Sequence, residues 1–360
     1  MKGEKTLVKD QGGWFFQGGA DNDVIVSSRI RLSRNLTGHL FPGSMGHEEE
    51  ERVRTAAIAA FEGLLDETTY EPVLIGDLRP SERRLLMERK LISQDFSLHK
   101  EKTVMLRKDM NQSCMINEDD HLKILTYRGG EALSSLYREV RDLDDKLETR
   151  VDFAASLEYG YLGPRLDNLG TAMKGSYFVH LPALVESGLV DKALKTMIQV
   201  GYEVTGFSPG EDGSLGQFFL VSNKETLGFK EEEVVEKLET LSRQLITYER
   251  MAREDLLNKK LWELEDRVFR ALGVMKSCRL LDYGEGVELI SSLRMGVILG
   301  WLPFPLESLN SLIILSQNSH LQARIGDGET AEELILDHER AEQFREILIT
   351  PLETGGGSDV

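Results

Sequence analysis

The chain has 360 residues, 41% of them apolar and 29% charged, and a formal net charge of −18 from 43 basic and 61 acidic side chains. That length suits two domains, and the acidity argues against a general nucleic-acid or anionic-membrane binder. Its two cysteines, Cys114 and Cys278, are too few for a disulfide scaffold and point to a reducing cytoplasm. Neither a signal-peptide core in "MKGEKTLVKDQGGW" nor an apolar run of about 18 residues suggests export or a membrane span.

In chain order, "VIVSSRIRLSRNL" (24–36) opens as a β-branched strand and then places Arg29, Arg31 and Arg34 in one short run. Residues 47–66 have helical spacing through Val53, Ala57, Ala60, Phe61 and Leu64, and "RPSERRLLMERKLIS" (79–93) starts a second helix with Ser81 as its cap. "TVMLRKDMNQSCMINEDDHLKILTY" (103–127) holds three short β-rich runs separated by polar breaks, which predicts an antiparallel meander. Residues 131–147 return to helical spacing. A strand "SYFVHL", a helix across 183–200 and the strand pair "YEVTGF" and "QFFLVSN" follow. From about 225 the strand signal ends: 231–272 is one long helical pattern broken once, and further helices cover 285–300 and 331–349, the last with a Thr330/Glu333 capping-box spacing. The expected architecture is α+β, a largely antiparallel sheet flanked by helices over 1–254, then an all-helical domain over 255–350 and a flexible tail over 351–360.

Four stretches carry chemical signals. In "SSRIR", Arg29 and Arg31 project to one face of a strand and make a two-pronged anion site; taken alone, the run reads more readily as a solvated edge strand whose charges discourage aggregation. "NEDDH" (117–121) sets three carboxylates side by side, which calls for a nearby cation: Mg²⁺, Lys, Arg or a substrate guanidinium. A polar hairpin turn accounts for it as well. "DNLGTAMKGS" (167–176) offers backbone N–H groups and Lys174 to a phosphate without the spacing of a P-loop or Rossmann fingerprint. "GFSPGEDGSLG" (206–216) is a glycine-rich loop of the kind that closes over a ligand.

In their order, "SSRIRLSRN", "NEDDH", "GYLxxxxxNLGTxxxxSxxxHLPAL" and "SLGxxFxxSN" resemble the catalytic domain of the phosphagen (guanidino) kinases, and "RALGVMKSCRLLDYGEGVELISSLRMGVILGW" with "DHERA" resembles the C-terminal region of the family's bacterial protein-arginine kinase branch. The resemblance implies transfer of the ATP γ-phosphoryl, with Mg²⁺, to arginine guanidinium groups of proteins. It also implies a role in protein quality control beside a Clp-type unfoldase and a zinc-binding activator, and a homodimer through the C-terminal helices. Leu289, Ile290, Leu293, Val297 and Ile298 there exceed what one helical stripe needs. It implies catalytic roles for Asp119, Glu118 and Glu211. Nucleotide contacts carry over onto Ser27, Ser28, Arg29, Ile30, Arg31, Lys90, Lys123, Arg165, Lys174, Gly175, Ser176, Tyr177, Phe178, Thr205, Gly206, Phe207, Ser208, Pro209 and Gly210. Asp337, Arg340 and Ala341 stand at the phosphoarginine-reading motif, and no residue is assigned to a resident metal.

Several positions depart from the family pattern. Asp119 replaces a catalytic glutamate, Lys123 and Lys174 replace phosphate-binding arginines, Lys90 replaces a nucleotide-contacting histidine, and Thr205 replaces another arginine. "RLDN" stands for CPTN, so Arg165 takes the place of a reactive cysteine, and Leu336 replaces the first arginine of RDxxRA. A lysine keeps the charge and loses the planar fork. Two functions are therefore expected: a protein-arginine kinase with a rearranged cationic cage, or a catalytically impaired relative that acts as a binding or regulatory protein.

Overall fold

In the computed structural model, which describes residues 12–64, 70–207, 214–326 and 331–349, the β-branched run after Asp23 becomes β1 (Ile25–Arg34). There follow α1 (His47–Glu62), β2 (Tyr70–Leu74), α2 (Pro80–Glu88), α3 (Gln94–Leu98), β3 (Thr103–Arg107), β4 (Gln112–Ile116), β5 (Leu122–Gly129) and α4 (Leu133–Glu148). Next come β6 (Ala155–Ser156), β7 (Gly160–Tyr161), β8 (Met173–His180), α5 (Pro182–Glu186), α6 (Val190–Gln199), β9 (Tyr202–Gly206) and β10 (Phe218–Asn223). The remaining elements are helical: α7 (Glu231–Lys259), α8 (Leu261–Ser277), α9 (Tyr283–Ile298), α10 (Leu306–Leu315), α11 (Asn318–Ile325) and α12 (Glu333–Ile349).

Eight strands form one sheet in the order β2-β3-β4-β5-β1-β8-β10-β9, with β6 and β7 as a separate hairpin. Every pairing in the large sheet is antiparallel, including the expected meander β3-β4-β5. The arginine-bearing β1 pairs with β5 on one side and β8 on the other. It is a central strand, so edge protection does not account for its charges.

One face of the sheet is apolar. Ile30 and Leu32 of β1, Ile124 of β5 and Tyr177 and Val179 of β8 pack there against Leu133, Leu136 and Val140 of α4 and Leu238 and Leu245 of α7. On that side Arg34 is fully buried, paired with Asp144 (2.6 Å) and Glu231 (2.9 Å), and stacked 3.5 Å from the Tyr161 ring centroid. The third arginine of the run therefore belongs to the scaffold. A second core joins Trp14 and Phe15 and the sheet residues Tyr127 and Phe218 to Leu293, Leu309 and Leu312 of the C-terminal helices. Arg294 crosses this seam fully buried, donating to His180 Nδ1 (3.3 Å) and the Asn22 carbonyl (2.9 Å).

The structure departs from the expected elements in several places. The helix across 183–200 is two, because Gly188 takes φ +67° after α5. Ser81 does not cap α2: Pro80 occupies its first position, and Glu82 Oε2 accepts from the Arg79 N–H (2.8 Å). Helices α10 and α11 are additional: α10 buries Leu309, Leu312, Ile313 and Ile314 together with Asn310 and Ser311, and α11 buries Ser319 and Gln322 beside Leu321, so neither shows an amphipathic period. Strand β2 is short and carries Pro72, which fits its place at the sheet edge. The 255 divide lies in the last turn of α7, and the helix breaks at Lys260. Thr330 and the 351–360 tail lie outside the described residues.

Glu249 of α7 anchors the sheet to the helices. Its fully buried carboxylate accepts from the Ala183 and Leu184 N–H groups (2.9 and 3.0 Å) at the start of α5. Burial pushes its pKa up to about 7, although these two hydrogen bonds favour the ionised form. Glu249→Ala leaves two buried donors unpaired and should cost about 2 kcal/mol. The folded-state pKa exceeds the unfolded 4.5, so this residue's contribution is full below pH 4.5 and lost as the pH rises through about 7. Denaturant unfolding at a series of pH values should show that loss in the parent and not in Glu249→Gln; parallel curves would refute it.

Candidate active site

Residues directly opposite in an antiparallel ladder share a face. Ser27, Arg29 and Arg31 stand opposite Phe178, Ser176 and Lys174 of β8, and Arg29 stands opposite Tyr127 of β5. Lys123 stands opposite Ser33, and Thr205 and Glu203 continue the same face through Leu220 and Ser222. Four cationic side chains, Arg29, Arg31, Lys123 and Lys174, thus emerge from one face of three adjacent strands. Arg29 donates to Ser176 Oγ (3.0 Å), Arg31 to Asn168 Oδ1 (2.9 Å), and Lys174 pairs with Glu203.

The acidic turn after β4 meets this cage. Lys123 pairs with Glu118 and lies 3.4 Å from Asp119 Oδ2, which supplies the cation that three neighbouring carboxylates require. Glu118 also accepts from Ser93 Oγ (2.7 Å). Burial opposes its ionisation, but the Lys123 charge and these hydrogen bonds hold its carboxyl below the usual range. Asp120 is fully buried and accepts from the side-chain amides of Asn35 (2.8 Å) and Asn168 (3.0 Å). His121 accepts the Leu36 N–H at Nδ1 (2.9 Å), which leaves Nε2–H to donate to the Leu40 carbonyl (2.8 Å). Burial lowers its pKa. Asp120 and His121 are therefore structural. Asp119, its side chain 53% exposed, is the carboxylate of the turn open to a substrate.

At the Ser27 end of β1 the same face opens into a cavity of about 440 Å³, lined among others by Trp14, Ser27, Arg29, Lys90, Tyr127, Phe178, Thr205, Gly206 and Phe207. Desolvation lowers the Lys90 pKa, opposed by the Glu88 charge and aided to a smaller extent by Arg29. Aromatic walls with cations at one end suit a base joined to phosphates.

The structure separates the expected contacts. Ser28, Ile30, Gly175 and Tyr177 point to the opposite face, because alternate residues of a strand change sides. Ser28 Oγ donates to the Gly130 carbonyl (2.8 Å), Ile30 is in the core, a Cβ at Gly175 would meet Leu238 Cδ1 at 2.6 Å, and Tyr177 donates to Glu131 (2.8 Å). Ser208, Pro209, Gly210 and Glu211 lie outside the described residues. Arg165 is exposed, three residues before Asn168, which ties Arg31 to Asp120. Asp337, Arg340 and Ala341 lie on α12: Ala341 is buried in the core, and the fully buried Arg340 donates to Asp337 (2.6 Å), Asn318 Oδ1 and the Ser316 and Leu281 carbonyls. The sequence reading passed over Asn168, Ser93 and Glu203. Asn168 stood within "NLGT", whereas Ser93 and Glu203 owe their place to tertiary pairing.

Residues 50–252 match the family model for the ATP:guanido phosphotransferase C-terminal catalytic domain, and 262–354 match that for the protein-arginine kinase McsB C-terminal domain. A protein-arginine kinase of Desulforamulus reducens is 38% identical over 326 residues, covering 89% of this chain and 91% of that protein. One of a Geobacillus species is 35% identical over 356 residues, 97% of each. Among solved structures, the duplicated taurocyamine kinase from Schistosoma mansoni with bound transition state analog components has a similar fold, with TM-score 0.57 and 22% identity over 64% of this chain. This chain spans 33% of the length of that duplicated protein. Lombricine kinase has TM-score 0.56 and 19% identity, covering 65% of this chain and 68% of its own.

Proposed function

The chain belongs to the ATP:guanido phosphotransferase family, and from that premise we propose how its protein-arginine kinase activity runs in this cleft. ATP lies along the polar face of β1 with its base in the aromatic cavity and its phosphates toward Arg31, Lys123 and Lys174. Mg²⁺ enters as part of the nucleotide substrate. The γ-phosphorus–oxygen bond to ADP breaks as a bond to a guanidinium nitrogen forms, and the nitrogen's proton passes to Asp119. A guanidinium has a pKa above about 12, so it needs a carboxylate both to orient it and to take that proton. Glu118 holds Lys123 beside Asp119. The cations neutralise charge on the transferring group, where most of the catalytic effect in phosphoryl transfer resides. The observation that carries this reading is the meeting of Arg29, Arg31, Lys123 and Lys174 on one face with the exposed Asp119 at its end.

Mass spectrometry for acid-labile phosphoarginine, after incubation with MgATP and an arginine-rich protein, tests it. Phosphoarginine is the expected result. Its absence from a protein that still binds MgATP would favour the binding or regulatory alternative.

Further features rest on the family resemblance: a cytoplasmic setting in protein quality control, a Clp-type unfoldase and a zinc-binding activator as partners, and phosphoarginine recognition near Asp337 and Arg340. A homodimer is part of the same reading. Ile290 and Leu293 are spent inside the helical core, so the face of α8 with Trp262 (82% exposed) and Phe269 (45%) is the better candidate for a second copy. Light scattering at micromolar concentration should give twice the chain mass; a monomer would remove that proposal. No described helix is long and apolar enough to cross a membrane.

A further inference from the structure

The aromatic cavity has a wall that the catalytic sheet does not supply. Tyr283 at the start of α9, Ile314 of α10 and Gln317 between α10 and α11 line it together with Trp14, Lys90 and Tyr127. The register of β1 fixes which end this is. Ser27 and Arg29 line the cavity, whereas Ser33, opposite Lys123 and the acidic turn, lies six residues along, about 20 Å at strand rise. The C-terminal helices therefore cover the end remote from phosphoryl transfer, where the base sits if the function proposed above holds.

Two arrangements hold this wall in place, one against α2 of the sheet domain and one within the C-terminal helices. Glu88 at the end of α2 accepts from the Ser319 N–H (3.0 Å) and the His320 N–H (3.2 Å), and Arg89 donates to His320 Nε2 (3.2 Å). The next residue, Lys90, is kept at φ +64°, a conformation that a side chain other than glycine rarely takes. On the other flank, Arg340 donates to the Ser316 carbonyl (2.8 Å) and to Asn318 Oδ1 (2.6 Å), the two neighbours of Gln317. Gln317 itself is lightly engaged, with a long 3.4 Å contact from its amide nitrogen to the Ile313 carbonyl. Within the same cavity wall, Trp14 keeps a buried indole N–H without a hydrogen-bond partner among the described residues.

We propose that Gln317, fixed by Arg340 on one side and by the Glu88–His320 contact on the other, is the residue that selects adenine, so that the C-terminal helices complete the nucleotide site. An amide presents one donor and one acceptor side by side, which matches the N6 donor and N7 acceptor of adenine. On the corresponding edge guanine offers two acceptors and leaves the amide oxygen unpaired. Trp14, Tyr127 and Phe178 supply stacking that either purine accepts, so discrimination falls to Gln317. Arg340 acts here as a positioning residue, independently of any ligand it binds.

The test is titration calorimetry of the intact protein with MgATP and MgGTP, for the parent, Gln317→Ala and the near-isosteric Gln317→Glu, with melting temperatures recorded without nucleotide. The parent should prefer ATP. Gln317→Ala should lose that preference by about tenfold, mainly through weaker ATP binding, at unchanged melting temperature. Gln317→Glu keeps an acceptor for the adenine N6 donor but sets acceptors against both guanine acceptors, so it should weaken both nucleotides and still prefer ATP. Arg340→Lys should move the ATP/GTP ratio in the direction of Gln317→Ala with little change in GTP affinity, a readout that general destabilisation would not give. A parent that binds ATP alongside a Gln317→Ala variant with the parental ratio would overturn the proposal and leave the kinase reading intact. A folded parent that binds no nucleotide would overturn both.

Discussion

Asp119→Asn should reduce phosphoarginine formation by about 10²–10⁴-fold, the range of a lost general base, while MgATP affinity stays nearly unchanged. The asparagine keeps the size of the side chain and can still orient a guanidinium, but it cannot take the proton. The split between rate and affinity follows from the geometry. Asp119 is half-exposed at the mouth of the turn and touches Lys123 at a long 3.4 Å, so its removal leaves Lys123 paired with Glu118 and the cage in place. Asp120→Asn is the informative contrast. That carboxylate accepts amides from Asn35 and Asn168 inside the fold, so its loss should lower the melting temperature before it alters chemistry. Quantified phosphoarginine by mass spectrometry, beside calorimetric MgATP affinity, checks both. An Asp119→Asn protein working at the parental rate would show that another group takes the proton.

The parts of this site that were legible in the sequence are those fixed by local period. Alternation in β1 alone places Arg29 and Arg31 on one face, and three carboxylates in a four-residue break demand a cation. The same alternation, applied strictly, turns Ser28 and Ile30 away from the nucleotide; copying a whole motif onto the site ignored that. Arg34 shows a different limit. Nothing in "RLSRN" distinguishes it from its neighbours until Asp144 and Glu231 arrive from helices far along the chain. Helices α10 and α11 were hidden because both bury polar residues beside apolar ones, Asn310 and Ser311 in α10 and Ser319 and Gln322 in α11, so neither shows an amphipathic period, and with them was hidden the wall of the cavity that Gln317 lines. Long-range pairing and complete burial leave no local signature, which is where the sequence reading ended.

Lys174→Ala should lower activity by two orders of magnitude or more, the cost typical of one lost transition-state donor, whereas Lys174→Arg should retain or raise it. Lys174 stands directly across β1–β8 from Arg31 and is one of the four cations of the cage. A lysine neutralises one phosphate oxygen, and an arginine bridges two. Without nucleotide its ammonium is held by Glu203, a pair in which Lys174 is 22% and Glu203 47% exposed. An exposed ion pair of this kind is worth at most about 1 kcal/mol, so arriving phosphates displace it at small cost. The effect of that competitor has a definite sign. Glu203→Gln should strengthen MgATP binding slightly, because the ammonium no longer leaves a carboxylate to reach the phosphate. Lys174→Ala and Glu203→Gln should therefore move MgATP affinity in opposite directions, and the double variant should resemble Lys174→Ala, since Glu203 acts through that lysine. If Glu203→Gln instead weakens binding in the Lys174→Ala background, the carboxylate contacts the nucleotide's metal ion rather than restraining the lysine. If Lys174→Ala turns over at the parental rate, the phosphates do not lie across β8.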